Sequence, residues 1–403
     1  RSEMCIRDRL RKKVRIILKK LLNQKQIEPI IFALISLSIL FPFYISSLVT
    51  ALGAGVLFFT HYKELKEAFL KTHWLGIFIF YSLLVGLFYQ NWIGVGVGVV
   101  MFLFAMLFYF YQRYLTFELY QFNLKVFVFG SIPLALLSYY KYSRDVLKNG
   151  YDLLYIFKYH NPQTRAEATF FNPNYYGLYI AMVLIMAIYL FSQNQNRRFR
   201  WVMVLTILMN LMSLILTGSR WSIPTVIVGV VIMLFFLKPK LAWGLGFLLV
   251  GGFIALLIRP DLLPRFTTLA HGFEDRFAIW QVGWNLFLTS PIVGRGPMTY
   301  VNFYYLFADK GKMHAHQLLV DCLANYGLVG MMLLVMAFSR YFRQLFRGIF
   351  NPQIRPEMGL VVATVLTVLF HGLMDVGIFW IQTGYIFLAL VTVTPTPVSY
   401  THL

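Results

Sequence analysis

Trp92-Ile-Gly-Val-Gly-Val-Gly-Val-Val-Met-Phe-Leu-Phe-Ala-Met-Leu-Phe-Tyr-Phe-Tyr111 is a run of twenty residues without a charge. Wound as an α-helix it is about 30 Å long, the thickness of the hydrocarbon core of a bilayer, and it reads as a membrane span. Similar runs lie before it at Ile30 to Phe41, Phe43 to Thr60 and Trp74 to Tyr89, and directly after it at Phe122 to Tyr139. Further along come Asn174 to Phe191, Trp201 to Leu216, Ser222 to Leu237, Leu241 to Ile258, His316 to Phe338, Met358 to Phe370 and Val376 to Val393. Twelve spans are expected, the first two sharing one run split at Pro42.

Composition agrees. Of 403 residues, 59% are hydrophobic and 13% charged, and the mean hydropathy is +0.66; such a chain is neither soluble, fibrous nor disordered. Two cysteines, Cys5 and Cys322, rule out a disulfide scaffold. The fold class expected is an all-α integral membrane protein, with residues 10–395 as one polytopic domain.

The net charge of +20 would suggest nucleic acid in a soluble chain, but these charges sit between the spans. Arg11, Lys12, Lys13, Arg15, Lys19, Lys20 and Lys25 precede the first span. Alternate connections carry Lys63, Lys66 and Lys71; Arg113; Arg197, Arg198 and Arg200; Lys238 and Lys240; and Arg340, Arg343, Arg347 and Arg355. The opposite short connections hold one basic residue, Arg220. Basic residues in short loops stay cytoplasmic, so both termini are expected inside. Segments 140–173 and 259–315 then form outer loops, the larger between the ninth and tenth spans. Anionic lipid headgroups account for the basic excess and nucleic acid is not needed. Residues 1–9 and 397–403 read as foreign to the rest; they are expected to be non-native, with the last span cut short near Val393.

Ion-coupled transport usually places charges at mid-membrane depth, and the centres of these spans hold almost none, so the chemistry is expected at a surface. On the outer side, polar residues gather before four inward-running helices whose N-termini carry free N–H groups and partial positive charge. The first group is Arg165-Ala-Glu-Ala-Thr-Phe-Phe-Asn-Pro-Asn174, with Asn172 as N-cap and Pro173 at the first helical position. The second is Leu216-Thr-Gly-Ser-Arg-Trp-Ser222, with Ser219 or Ser222 capping; the third is Met313-His-Ala-His-Gln317 and the fourth His371-Gly-Leu-Met-Asp375. Helix N-termini beside arginines suit an anion, above all a diphosphate.

Each residue also has an ordinary structural use. Arg220 fits an interfacial anchor whose stem snorkels, Asp375 a helix N-terminal charge, Glu167 a solvated loop carboxylate, and Asp321, one turn into the helix after His316, a structural hydrogen bond. His314 and His316, two positions apart, would face different ways on a helix, unlike the spacings zinc favours. With no Asp-x-Asp pair in the chain, no metal is expected, and an imidazole at a helix N-terminus is better used as a base. In the large outer loop, Phe277, Trp280, Trp284, Phe287 and Leu288 share one helical face, predicting an interfacial helix that stops at Ser290-Pro291 and turns at Gly294-Arg-Gly-Pro297.

The segments Arg165…Phe171-Asn-Pro-Asn174, Leu216-Thr-Gly-Ser-Arg220, Arg276-Phe-Ala-Ile-Trp280…Pro291-Ile-Val-Gly-Arg-Gly296 and His314-Ala-His-Gln317 resemble, in that order, the O-antigen ligase and polymerase family of bacterial envelope glycosyltransferases. That family's signature is a histidine and a small polar residue, nine arbitrary residues, Gly, two more and a small residue; here it is His316-Gln317, Leu318 to Tyr326, Gly327 and Gly330. The resemblance implies a metal-independent, cofactor-free glycosyltransferase of the bacterial cytoplasmic (inner) membrane, acting on its outer face. It would move a glycan from undecaprenyl diphosphate, with inversion, to a hydroxyl on a lipid, glycan or protein acceptor. It makes His316 the base and Arg220 and Arg276 the diphosphate ligands, with Arg165, His314 and Gln317 as further substrate contacts and Asp321, Asp375, Asn172 and Asn174 in support. Trp221 and Gln317 depart from the commoner Gly and Asn. A repeat-unit polymerase is the alternative within the class; a lipid-linked glycan transporter is the alternative outside it.

Overall fold

The computed structural model describes residues 27–71, 73–159, 162–259 and 269–392. The basic N-terminal tail, both stretches expected to be non-native and Val393 lie outside the described residues, as do positions 260–268 of the large loop. The described residues are overwhelmingly helical and contain no strand. In chain order the helices are α1 (Ile27–Ser38), α2 (Phe43–Thr60), α3 (Tyr62–Lys71), α4 (His73–Phe88), α5 (Trp92–Tyr114), α6 (Phe117–Lys148), the one-turn α7 (Tyr155–Lys158) and α8 (Pro173–Gln193). They continue as α9 (Arg197–Thr217), α10 (Ser222–Leu237), α11 (Pro239–Ile258), α12 (Leu269–Thr289), α13 (Thr299–Phe303), α14 (Leu318–Ile349), α15 (Arg355–His371) and α16 (Ile381–Val391). Every expected apolar run falls on one of them. Among the described residues, α2, α5, α6, α8, α9 and α14 are long and apolar enough to cross a membrane.

Helix α8 is apolar on every side, which for a helix means burial on every side. From Tyr176 to Ala187 each of its residues is buried, and α6, α9, α10 and α15 pack around it. The close approaches rely on small residues, as is usual between membrane helices: a side chain at Gly229 of α10 would strike Thr367 of α15 and Ile185 of α8, and one at Gly177 of α8 would strike Ser222 at the start of α10. On the far side α4 and α5 pair, and α14 packs on α4.

Several ends differ from the sequence expectations. Helix α6 runs past Tyr139 to Lys148, because Tyr142 and Val146 of its last turns are buried in an apolar cluster with Tyr155, Ile156, Ala166 and Leu216. Helix α3 falls where only a basic connection was expected; its Leu65 is buried among charged neighbours. Helix α12 does end before Ser290-Pro291, but it has two apolar faces. Phe277, Trp284 and Leu288 are exposed, whereas Gly283, Leu286 and Phe287 are buried, with Ile279 and Val282 beside them, against Ala324, Val320 and Leu323 of α14. The final helix was expected from Val376 and begins only at Ile381, after a 3-10 turn at Gly377–Phe379. The Thr383 hydroxyl donates to the Gly377 carbonyl, an intrusion that delays the helix.

Helix α14 is broken at Gly327, whose φ of 60° and ψ of −171° are not helical. The Ser290–Gly296 turn enters the break. Leu328 and Val329 donate their backbone N–H groups to Pro291 and Ile292 carbonyls at 2.9 and 3.0 Å, and Gly296 donates to Asn325 at 2.8 Å. A Cβ at Gly327 would lie 2.5 Å from the Gly294 nitrogen and the Ile292 oxygen, both backbone atoms that cannot rotate away. Glycine is therefore required there for conformation and for space. The nine residues from Leu318 to Tyr326 form a separate half-helix, which this junction holds in place. Gly327→Ala is expected to cost about 1–3 kcal/mol from the left-handed φ alone, plus the backbone collision. A thermal unfolding midpoint in detergent equal to that of the wild type would show that the junction does not hold the half-helix.

Candidate active site

The starts of α8, α10 and α14 and the end of α15 meet at one end of the bundle. Asn172 caps α8 as expected, its side chain accepting from the Asn174 N–H at 2.8 Å with Pro173 at the first position. Gln317 caps α14, its Oε1 accepting from the Val320 N–H at 2.6 Å, so this oxygen, expected at the substrate, serves the helix. Neither Ser219 nor Ser222 caps α10. Trp221 occupies the cap position in a helical conformation without a side-chain bond to the helix N-terminus, and the two serine hydroxyls bond to each other at 2.6 Å. Gly218 ends α9 in the left-handed conformation, and the turn that follows is anchored by Trp221, whose indole stacks on Phe370 at 4.9 Å and donates to the Phe370 carbonyl at 3.0 Å.

Asp375 is the hub. It is not at a helix N-terminus, since α16 starts six residues later; it lies buried in the turn after α15. Its Oδ2 accepts from the Asn174 side chain at 2.7 Å. Its Oδ1 accepts from the Val376 backbone N–H at 2.8 Å and pairs with His316 Nδ1 at 3.3 Å, and His314 Nε2 lies 3.7 Å away. Burial alone would raise this carboxyl, but the hydrogen bond from His316, together with the attraction of any neighbouring imidazole that becomes protonated (His316, His314 or His371), outweighs it and holds Asp375 below the usual carboxylate range.

The expectation that the two histidines face apart is overturned. It assumed a helix, but His316 precedes the cap with a φ of 54°, and this left-handed residue folds the chain back. The two rings lie edge to face with centroids 4.1 Å apart. Ligand atoms of His314, His316 and Asp375 all fall within 4.8 Å of one another, close enough to share one ion. The turn is held by Asp321, which accepts from the Ala315 N–H and the Asn325 side chain at 2.9 Å each; these bonds go to the preceding turn and its own helix, not to a neighbouring helix.

Hydrogen bonds assign the tautomers. His314 Nδ1 accepts from the His316 backbone N–H at 3.2 Å, so its proton sits on Nε2, which faces the Tyr175 hydroxyl at 3.1 Å. His316 donates Nδ1–H to Asp375, which leaves Nε2 as the basic nitrogen. Burial, then the neighbouring His316, pull His314 down to about 4. Tyr175 had no signal in the sequence beyond standing next to Asn174.

Arg165 reaches the hub through Asn174, donating to its Oδ1 at 3.0 Å and to the Thr217 carbonyl at 2.6 Å. Burial lowers Arg165 to about 10; the charge of Asp375 opposes this, while those of Arg276 and Arg220 add to it. Arg276 and Arg220 thus each lie within electrostatic reach of Arg165, and Arg276 also acts on His314. One turn after Arg276, Trp280 keeps its indole N–H buried without a hydrogen-bond partner among the described residues. Arginines from three separate segments, a His–Asp pair and helix N-termini thus converge at one end of the bundle.

This is a multi-pass membrane protein whose Asp375 cluster lies at one end of an apolar helix bundle. Residues 205–335 match the family model described as O-Antigen ligase, a segment that contains Arg220, Arg276, His314, His316, Gln317 and Asp321. Arg165, Asn174 and Asp375 lie outside it and are brought in by the fold. The chain is also similar to the teichuronic acid biosynthesis protein TuaE of Bacillus subtilis (strain 168), 25% identical over 191 residues. That alignment covers 43% of this chain and 38% of the relative.

Because His314 is held neutral, the unfolded state binds a proton that the folded state refuses. The stabilisation is complete above the ordinary histidine value near 6.5 and is lost as pH falls from there through about 4. The unfolding midpoint in detergent is expected to drop over that interval, and His314→Gln is expected to flatten the drop. An equally steep profile in the variant would assign the acid sensitivity elsewhere.

Proposed function

We propose that this chain is an O-antigen ligase-like glycosyltransferase of the bacterial cytoplasmic membrane, built on twelve spans with both termini inside and the Asp375 cluster facing out. Its donor is a glycan on undecaprenyl diphosphate and its acceptor is a hydroxyl on a lipid, glycan or protein. The observation that carries this reading is the His316–Asp375 pair beside the convergence of Arg165, Arg220 and Arg276.

In this mechanism His316 Nε2 takes the proton of the acceptor hydroxyl while the acceptor oxygen attacks the anomeric carbon. The bond from that carbon to the diphosphate oxygen breaks, and the diphosphate leaves with the electron pair. Asp375 holds the His316 tautomer and stabilises the imidazolium, the general role of a carboxylate behind a catalytic histidine. Arg220 and Arg276, with Arg165 behind them, the Trp280 N–H and the helix N-termini, stabilise the charge developing on the diphosphate. Direct attack inverts the anomeric centre without a covalent intermediate. Asp375 already accepts two N–H groups besides the imidazole, and this favours a proton-transfer role over metal ligation. A repeat-unit polymerase would use the same chemistry with a carrier-linked acceptor.

His316→Ala is expected to lower transfer by about 10²–10⁴-fold, the usual worth of a general base, while the protein still inserts. Chelators are expected to leave wild-type activity intact. Undiminished transfer by a stably inserted His316→Ala protein would overturn the base, and chelator-sensitive transfer restored by one metal would convert the His314–His316–Asp375 cluster to a metal site. In the native host, long glycans stranded on the carrier identify a ligase, and single repeat units identify a polymerase.

A further inference from the structure

A line of aromatic rings leads from the histidines to the surface. Tyr175, whose hydroxyl meets His314, packs its ring against Trp380 with centroids 5.3 Å apart. Trp380 packs on Phe43 at 4.9 Å, and Phe43 meets Phe171 edge-on at 5.7 Å. The inner members are partly covered, but Phe43 is 37% and Phe171 52% exposed. Three separate segments supply these rings: the stretch from Phe171 into the start of α8, the cap of α16 and the first residue of α2.

The platform is rigid. Gln382 is fully buried; its Oε1 accepts from the Trp380 indole at 2.8 Å, and its Nε2 donates to the Ile39 and Phe41 carbonyls at 2.9 Å. One amide thus fixes the indole to the turn that presents Phe43. Phe171 has a φ of 56°, a conformation that costs a bulky residue and persists only where its surroundings enforce it, commonly at functional sites. Polar groups line the outer edge. Lys141 Nζ stands 5.9 Å from the Phe171 ring centre, donates to the Ala168 carbonyl at 2.9 Å and pairs with Glu167 at 3.3 Å.

We propose that Phe43 and Phe171, backed by Trp380 and Tyr175, form a saccharide-binding platform that holds a pyranose unit of the glycan next to the His316 site. The axial C–H groups of a pyranose form an apolar face that an aromatic ring matches, while its equatorial hydroxyls reach for groups such as Lys141 and Glu167. An interfacial lipid anchor needs neither the strained Phe171 backbone nor continuity with the histidines, and a methylene surface would serve it as well. The inference rests on the glycan-transfer reading of the same site, and it assigns the glycan's place rather than the bond-making step.

The test uses the full chain in nanodiscs, with the host's surface polysaccharide released from lipid by mild acid as probe. Wild type and His316→Ala are expected to bind it equally, with saturation transfer from protein aromatic protons to pyranose ring protons. Phe43→Leu/Phe171→Leu, which keeps the apolar character for lipid, is expected to weaken binding at least tenfold. Phe171→Leu alone guards against a double variant that fails to insert and is expected to weaken it several-fold, and Phe171→Trp should retain it. Binding by the leucine variants within twofold of wild type, or no binding by wild type, overturns the platform. Because His316→Ala removes chemistry and not the rings, its transfer rate tests the base independently of this result. Competition of the released polysaccharide with the carrier-linked donor assigns the platform to the donor's sugar; binding alongside the donor assigns it to the acceptor's. Both support the platform.

Discussion

A buried carboxylate constrains everything around it, and in this protein that group is Asp375. Removing an ion from water costs several kcal/mol unless hydrogen-bond donors replace the solvent. Here the donors come from the first turn of α8, from the following backbone N–H and from a histidine that precedes α14. Three parts of the chain far apart in sequence must therefore arrive together before the charge is tolerable. Asn174 extends the requirement: having donated to Asp375 it accepts from Arg165, and Arg165 donates to Thr217 at the end of α9. One continuous line of bonds runs from the imidazole to the turn that presents Arg220. The same bonds that make the carboxylate tolerable hold the cationic groups in register, so geometry at the site and stability at this end of the bundle depend on one set of contacts.

The second constraint is the break in α14. An unbroken helix of that length would carry its N-terminus wherever packing on α4 placed it. The junction between Gly327 and the Ser290–Gly296 turn separates the half-helix Leu318–Tyr326 from the rest, and Asn325 ties the half-helix to the start of α13 by accepting from the Thr299 N–H while donating to Asp321. Asp321 in turn grips the Ala315 backbone. Glycines in the Pro291–Gly296 turn and at Gly327 thus act on the histidines through a rigid lever of about two and a half turns. The His-to-Gly spacing that marks the resemblance has this physical content: it is the length of the lever.

Much of the helical layout was legible because membrane helices announce themselves by length and apolarity, which need no tertiary information. The cap of α8 was legible for a similar reason: Asn followed by Pro acts within one turn. What failed to show was everything settled between distant segments. Two serines near the start of α10 read as caps, but packing set them against each other and against Gly177. The buried face of α12 was invisible beside the larger aromatic face, since small residues such as Gly283 mark a contact only once α14 is placed. Asp375 read as a helix-end charge because nothing local reveals that the Thr383 hydroxyl and the Gly377–Phe379 turn postpone the helix. Tyr175, Trp380 and Gln382 carry no local mark in the sequence of the line in which the fold sets them.

His316 shows how local cost and site geometry are linked. Side chains two apart on an α-helix point roughly 200° away from each other, so a helical His314-Ala-His316 would reach only one partner at a time. A left-handed residue at His316 costs about 1–2 kcal/mol and turns the chain so that both rings face Asp375. The strain is held by the Asp321 bond on one side, the Gln317 cap on the other, and the His316 N–H donated to His314 between them. That last bond has a chemical effect: it commits His314 Nδ1 as an acceptor, so His314 stays neutral and leaves His316 as the imidazole whose proton Asp375 controls. The strained turn makes the two histidines unequal, which a pair at regular helical spacing would not do.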